Sequence, residues 1–249
     1  MFTCASTECL PDVPADEVLE AMVDLGFTAV ELSLAEQGGW LKPSEVLADP
    51  DRAIQRCGET LRMDVAALGV VIDAEGDAYF EHFEAIAKLA KAIKVVTLIV
   101  PSSPLGTPFN EEIERLKRLV AIAAFEGAVV ALKTEIGTMT EDPDTAAVFC
   151  QHAKGLGLTL DPSCYVAGPH QGRPIDKLLE HTRHVHLRDS KKDAFQVRVG
   201  QGEIDYNKLI TQLSRVKYRR ALGVHMTPME DIDHRGELRK LRLLLESHL

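Results

Sequence analysis

Short apolar runs alternate with longer amphipathic runs along the whole chain. The apolar runs fall at residues 1–5, 29–32, 65–68, 95–100, 129–134, 158–160, 184–187 and 221–225. They are brief and rich in Val, Leu and Ile, as strands buried on both faces are in a parallel sheet covered by helices. The amphipathic runs fall at 15–25, 44–61, 78–93, 110–125, 144–155, 175–181, 206–216 and 235–247. The first follows Pro14 and stops at Gly26, a proline start and a glycine stop. In the third, Phe83, Ile86, Ala87 and Ala90 fall at helical spacing. The fourth opens on Asn110 and two glutamates, which suit the positive end of the helix dipole.

Eight βα units of about 31 residues each fit a single-domain (β/α)₈ barrel over residues 1–249. A doubly wound open sheet is the structural alternative. It lacks the GxGxxG that its dinucleotide-binding form places after the first strand.

Composition narrows the function classes. The net charge is −10 and no Lys/Arg cluster runs along the chain, so a nucleic-acid partner is not expected. The most apolar stretch, 119–132, is interrupted by Glu126 and Gly127 and is too short to span a bilayer, so a membrane is not expected either. The five cysteines are scattered without a CxxC, and the first residues lack a basic-then-apolar leader pattern. Together these features predict a cytoplasmic protein with reduced thiols.

In a (β/α)₈ barrel, functional groups sit at the C-terminal ends of the strands. Four ligand-type side chains occupy such positions on four consecutive strands: Glu135, Asp161, His186 and His225. Two carboxylates and two imidazoles suit Mn²⁺, Zn²⁺, Fe²⁺ or Co²⁺ better than Mg²⁺ or Ca²⁺. Singly, each residue has an ordinary structural explanation; the four together predict a metal site. Lys133 is expected to point into the barrel beside Glu135, as a structural ion pair or a substrate-binding charge. Arg188 could grip a carboxylate or phosphate. Trp40 follows Gly38-Gly39 in the loop after the second strand, either as a lid or as loop packing. The other histidines (His82, His152, His170, His181, His184, His234 and His248) are expected at the surface.

The stretch 185–213, VHLRDSKKDAFQVRVGQGEIDYNKLITQL, resembles the signature of the xylose isomerase-like sugar phosphate isomerase/epimerase family. In that family the seventh strand reads His-x-Lys-Asp, followed by Gly-x-Gly-x-Ile-Asp-Tyr/Phe. The matching residues here are His186, Arg188, Asp189, Gly200, Gly202, Ile204, Asp205 and Tyr206. GFTAVELS, 26–33, resembles the family's second strand, with Glu31 as its usual glutamate.

The resemblance implies a metal-dependent enzyme acting on a carbohydrate-like small molecule, and a homodimer or tetramer. The family's ligands are Glu, Asp, His and Glu. The first three map onto Glu135, Asp161 and His186, and the fourth onto His225, a departure that breaks the glutamate pair used in epimerisation. Cys164 and Ile136-Gly137 stand where relatives carry polar residues that face the substrate. The implied reaction is isomerisation or epimerisation by proton abstraction next to a metal-polarised carbonyl, with Glu135 and His225 as acid/base groups. Dehydration of a related polyol or keto compound is the alternative, since it needs only one base. A barrel that binds a sugar or a protein without catalysis is a further alternative. The related DNA-repair endonuclease reading lacks the extra ligands and the basic surface it needs.

Overall fold

The computed structural model describes residues 1–60 and 63–249. Eight parallel strands close into a barrel in sequence order, β1 (Phe2–Ser6), β2 (Ala29–Leu34), β3 (Asp64–Val70), β4 (Thr97–Val100), β5 (Val129–Lys133), β6 (Gly157–Leu160), β7 (Thr182–Leu187) and β8 (Ala221–Val224). β8 pairs with β1 from Phe2↔Ala221 to Ala5↔Val224, which removes both sheet edges. This is the (β/α)₈ fold that the apolar runs predict.

Helices α1 (Val18–Asp24), α2 (Pro43–Ala48), α3 (Pro50–Gly58), α4 (Gly76–Ala92), α5 (Phe109–Phe125), α6 (Pro143–His152), α7 (Ser163–Val166), α8 (Asp176–Leu179), α9 (Tyr206–Arg215) and α10 (His234–Glu246) lie between and after the strands. The helix expected over 44–61 is two helices. Pro50 cannot donate a backbone hydrogen bond and pushes Asp49 out of the helical region, to φ −144°, ψ 82°. Asp49 then caps the second piece, its side chain accepting from the Arg52 N–H at 3.0 Å. Leu61, the last residue of that expectation, lies outside the described residues. The four-residue α7 is too short to leave a periodic signal and was not expected from the sequence.

Strand geometry sorts side chains by parity. On β2, Val30, Leu32 and Leu34 join the main core between sheet and helices, with Met22, Phe83, Ile86, Leu116 and Phe149. Ala29, Glu31 and Ser33 therefore face the barrel interior. The same parity turns Lys133, Asp161, His184, His186, Arg188 and His225 inward. Below them the interior holds two buried apolar clusters, mostly of small residues: Cys4, Ala29 and Ala221, and Ala67, Ile99 and Ala131.

Two predictions follow from this packing. Phe83 is completely buried in the main core, so Phe83→Ala should cost about 3–5 kcal/mol, read as a lower urea midpoint at unchanged slope. All five cysteines are free and buried. Burial pushes Cys57 up to about 11, Cys9 and Cys150 to about 12, and Cys4 and Cys164 well above the usual thiol range. The native protein should show no fast-reacting thiol towards a disulfide reagent at pH 8, and five after denaturation.

Candidate active site

The inward residues converge near the C-terminal ends of the strands. Glu31 sits beside the β2–β3 irregularity at Val30/Glu31. Its Oε2 is 2.8 Å from His186 Nε2, a buried hydrogen bond between strands that are not neighbours. His184 Nε2 lies 2.8 Å from the same oxygen, too obliquely for a good hydrogen bond. Room for the two imidazoles comes from Gly223 on β8. A Cβ there would lie 2.9 Å from His184 Nε2 and 2.8 Å from the Val185 carbonyl. His186 stacks on His225, with ring centroids 4.2 Å apart and planes at 18°.

The electrostatics follow from burial. Desolvation is the largest influence on His186 and, only partly offset by Glu31, lowers it to about 3, so its ring is neutral near pH 7. Desolvation works to raise Glu31, but its histidine neighbours outweigh it and hold the carboxyl well below its ordinary value. The His186 N–H at Nε2 therefore donates to an ionised Glu31. That leaves Nδ1 with its lone pair, buried and without a hydrogen-bond partner.

A second chain of contacts runs alongside. Arg188 Nη2 lies 3.0 Å from Asp161 Oδ2 and 2.7 Å from His225 Nδ1. A guanidinium can only donate, so His225 Nδ1 accepts. The imidazole proton is then on Nε2, which donates to Glu8 Oε2 at 2.9 Å. Asp161 Oδ1 accepts from the Ser163 N–H at 2.9 Å, just ahead of α7. On β5, Lys133 Nζ donates to Glu135 Oε1 at 3.0 Å. Burial works to lower the Lys133 ammonium, but the carboxylates of Glu135, Glu8 and Asp161 outweigh it and raise it, so Lys133 stays charged.

The four residues expected around one ion thus divide. His186 and His225 come together with Glu31, their ligand atoms all within 4.8 Å of one another. Asp161 is paired with Arg188, and Glu135 with Lys133, outside that group. Cys164 is buried, its thiol donating to the Thr134 carbonyl at 3.2 Å. Trp40 is packed into the wall beneath the Arg56 guanidinium, 4.9 Å from its ring, with its backbone N–H donating to the Ser33 carbonyl at 2.8 Å.

The expectation of a surface position fails for His184. It is fully buried beside Glu31, because it shares strand parity with His186 two residues later. Glu8, in the 3₁₀ turn Thr7–Cys9, left no sequence signal at all.

Several residues of the 185–213 block build the loop that frames the mouth. Asp189 accepts from the N–H groups of Ser190, Gly200 and Gly202 at 3.1, 2.8 and 3.0 Å. Gly200 has φ +88°, and a Cβ on Gly202 would collide with the Asp189 carboxylate. Asp205 caps α9 by accepting from the Lys208 N–H at 2.9 Å. The loop carries Phe195 onto Arg188, with the guanidinium 4.6 Å from the ring centre. Gln196 ties it to the loop after β8, bonding the N–H and carbonyl of Thr227 at 2.9 and 2.6 Å. Among the described residues, no helix is long and apolar enough to cross a membrane.

Solved structures share this architecture. L-ribulose 3-epimerase superposes with a TM-score of 0.73 at 14% identity, covering 100% of this chain and 96% of that one. The IOLI protein with a bound zinc atom gives 0.75 at 16%, covering 100% and 99%. A xylose isomerase-like TIM barrel protein from Mycobacterium smegmatis, in complex with magnesium, gives 0.74 at 16%, covering 100% and 96%. At these identities the likeness is one of fold. No curated protein sequence matches the chain. The family described as xylose isomerase-like TIM barrel matches residues 19–245. The eight-stranded barrel, the inward histidines and this match agree: the chain belongs to the xylose isomerase-like TIM barrel family.

Proposed function

We propose that the chain is a metal-dependent carbohydrate isomerase-type enzyme, with its ion held by Glu31, His186 and His225 on β2, β7 and just beyond β8. One observation carries the reading: a carboxylate and two imidazoles lie within 4.8 Å of one another in the barrel, and the buried His186 Nδ1 has no other partner. One carboxylate and two nitrogens suit Zn²⁺, Mn²⁺, Fe²⁺ or Co²⁺. For His225 to ligate through Nε2, its proton must leave and Glu8 must turn away, so uptake of the ion releases a proton. Asp161 and Glu135 are held by cations and are free for other work.

The bound ion would polarise a carbonyl or hydroxyl oxygen of the substrate. The chain's own groups supply the rest. Glu135, the more open partner at the rim, is the candidate base for a proton next to that carbonyl. Lys133 keeps its charge beside it and stabilises the negative charge that develops on the substrate oxygen. Arg188 holds His225 and Asp161 in place, and its Nε remains a buried donor without a partner in the chain. The substrate class is a small sugar, polyol or hydroxycarbonyl compound. Isomerisation or epimerisation returns the proton to carbon. Dehydration is the second reading, favoured by the asymmetry of the rim: a carboxylate base beside a cationic acid, rather than two opposed carboxylates.

Metal content and solvent exchange test the reading together. Purified protein should take up about one equivalent of Zn²⁺, Mn²⁺ or Co²⁺, and Glu31→Gln should weaken binding by about tenfold or more. In D₂O, a panel of ketoses and hydroxycarbonyl compounds should include one that gains deuterium next to its carbonyl, at a rate reduced about a hundredfold or more in Glu135→Gln. Protein that takes up none of the three ions would overturn the reading and favour a non-catalytic barrel.

The metal-free protein should lose stability in acid. Unfolded histidine binds a proton near pH 6.5, whereas folded His186 does so only near 3. The unfolded state therefore holds more protons in between, and stability falls as pH drops from about 6.5 towards 3. Glu31, ionised in the fold, adds to the loss below the ordinary carboxylate range. Urea unfolding at pH 7, 5.5 and 4 should show a falling midpoint, with a smaller fall in His186→Asn.

A further inference from the structure

The N-terminal face of the barrel, opposite the mouth, carries a cluster of cations around a concavity. A cavity of about 250 Å³ opens between the turn that enters β7 and the turn that enters β8. Four cations line it: Arg183, Lys217, Arg219 and Arg220, with Glu180 as the single carboxylate. In a protein with a net charge of −10, this concentration of positive charge runs against the composition.

Among the described residues, none of the four cations pairs with a carboxylate, although they crowd around one concavity. The three arginines are instead held by neutral acceptors through Nη1 alone. Arg183 donates to the carbonyls of Glu180 and Thr182, both at 3.0 Å. Arg219 donates to the Tyr218 carbonyl at 3.0 Å. Arg220 reaches across the barrel floor to Thr97 Oγ1 at 2.8 Å. These contacts fix the guanidinium groups and leave their Nη2 and Nε donors without a partner among the described residues. Fixed donors of one sign around a concavity are what an oxyanion needs, because the cost of ordering the side chains has already been met in folding.

We propose that this floor cavity binds a phosphate-bearing anion, at a site separate from the mouth. The volume lies below the roughly 300–1,000 Å³ typical of pockets for drug-sized ligands, so the recognised part is one or two phosphate groups. Arg183 and Arg220, half-buried and tied to the barrel, form the back of the site. Lys217 and Arg219 form its exposed rim.

Isothermal titration of the intact chain with pyrophosphate and with inorganic phosphate, at a fixed ionic strength of about 0.15 M, tests the proposal. Saturable 1:1 binding is expected. Pyrophosphate binding tighter than phosphate assigns a diphosphate-bearing ligand, and similar affinities assign a single phosphate group. The double variant Lys217→Gln/Arg219→Gln, exposed at both positions and expected to unfold at the parent temperature, should raise Kd about tenfold or more, since it removes two charge-assisted contacts. Lys133→Gln, at the mouth, should leave Kd unchanged. Absence of binding, binding that the double variant does not weaken, or binding lost in Lys133→Gln would each overturn the floor site. The last result would move the phosphate to the mouth. None of these outcomes depends on metal uptake, so failure here is distinguishable from failure of the proposed function.

Discussion

A closed barrel leaves its inward side chains almost no solvent to share, so any charge placed there must find its partner among the other inward residues. The upper half of this barrel is organised by that constraint. Glu31 lies against His186 and His184, Asp161 against Arg188, His225 between Arg188 and Glu8, and Lys133 against Glu135. Residues on or just beyond five strands form one connected set from Glu31 to Glu8 and Asp161, with the Lys133–Glu135 pair of β5 beside it, and moving a member of the set strands another. The set fixes the tautomer of His225 and the ionisation of Glu31 before a ligand arrives. It also sets what neutralises each inward carboxylate: a guanidinium for Asp161, imidazoles for Glu31 and an ammonium for Glu135.

Much of the fold was legible in the sequence, because strands buried on both faces leave runs that little else imitates. All eight runs overlap observed strands, and the helices follow between them. The interruption at Asp49-Pro50 was legible too, had the proline been given its weight: its effect on the preceding residue outranks the amphipathic pattern on either side. α7 was not, since one turn of helix has no period to read.

The site was only partly legible. Searching strand ends for ligand-type residues finds His186, His225, Asp161 and Glu135 together, with Lys133 expected beside Glu135 and no partner foreseen for Asp161. What separates them is the cation beside each carboxylate. Strand parity carried that information: Lys133 shares a face with Glu135, and Arg188 points inward with His186. Parity also assigns His184 and Glu31 to the interior, against a reading that took His184 for a surface residue. Glu8 is different. It follows β1 in a short 3₁₀ turn, and only the closed barrel brings it next to His225, 217 residues away in the chain.

The carboxylate of Asp189 has a consequence for the history of this surface. One side chain gathers three backbone N–H groups from residues up to 13 positions away, and so pins both ends of the loop between β7 and α9 to the barrel rim. The span between those pins, with Phe195 and Gln196 on it, hangs from a fixed frame. Insertions or exchanges there can reshape what overlooks the mouth while the strand ends stay in register. An anchored frame with a replaceable span lets a lineage try new ligands without first giving up a folded barrel.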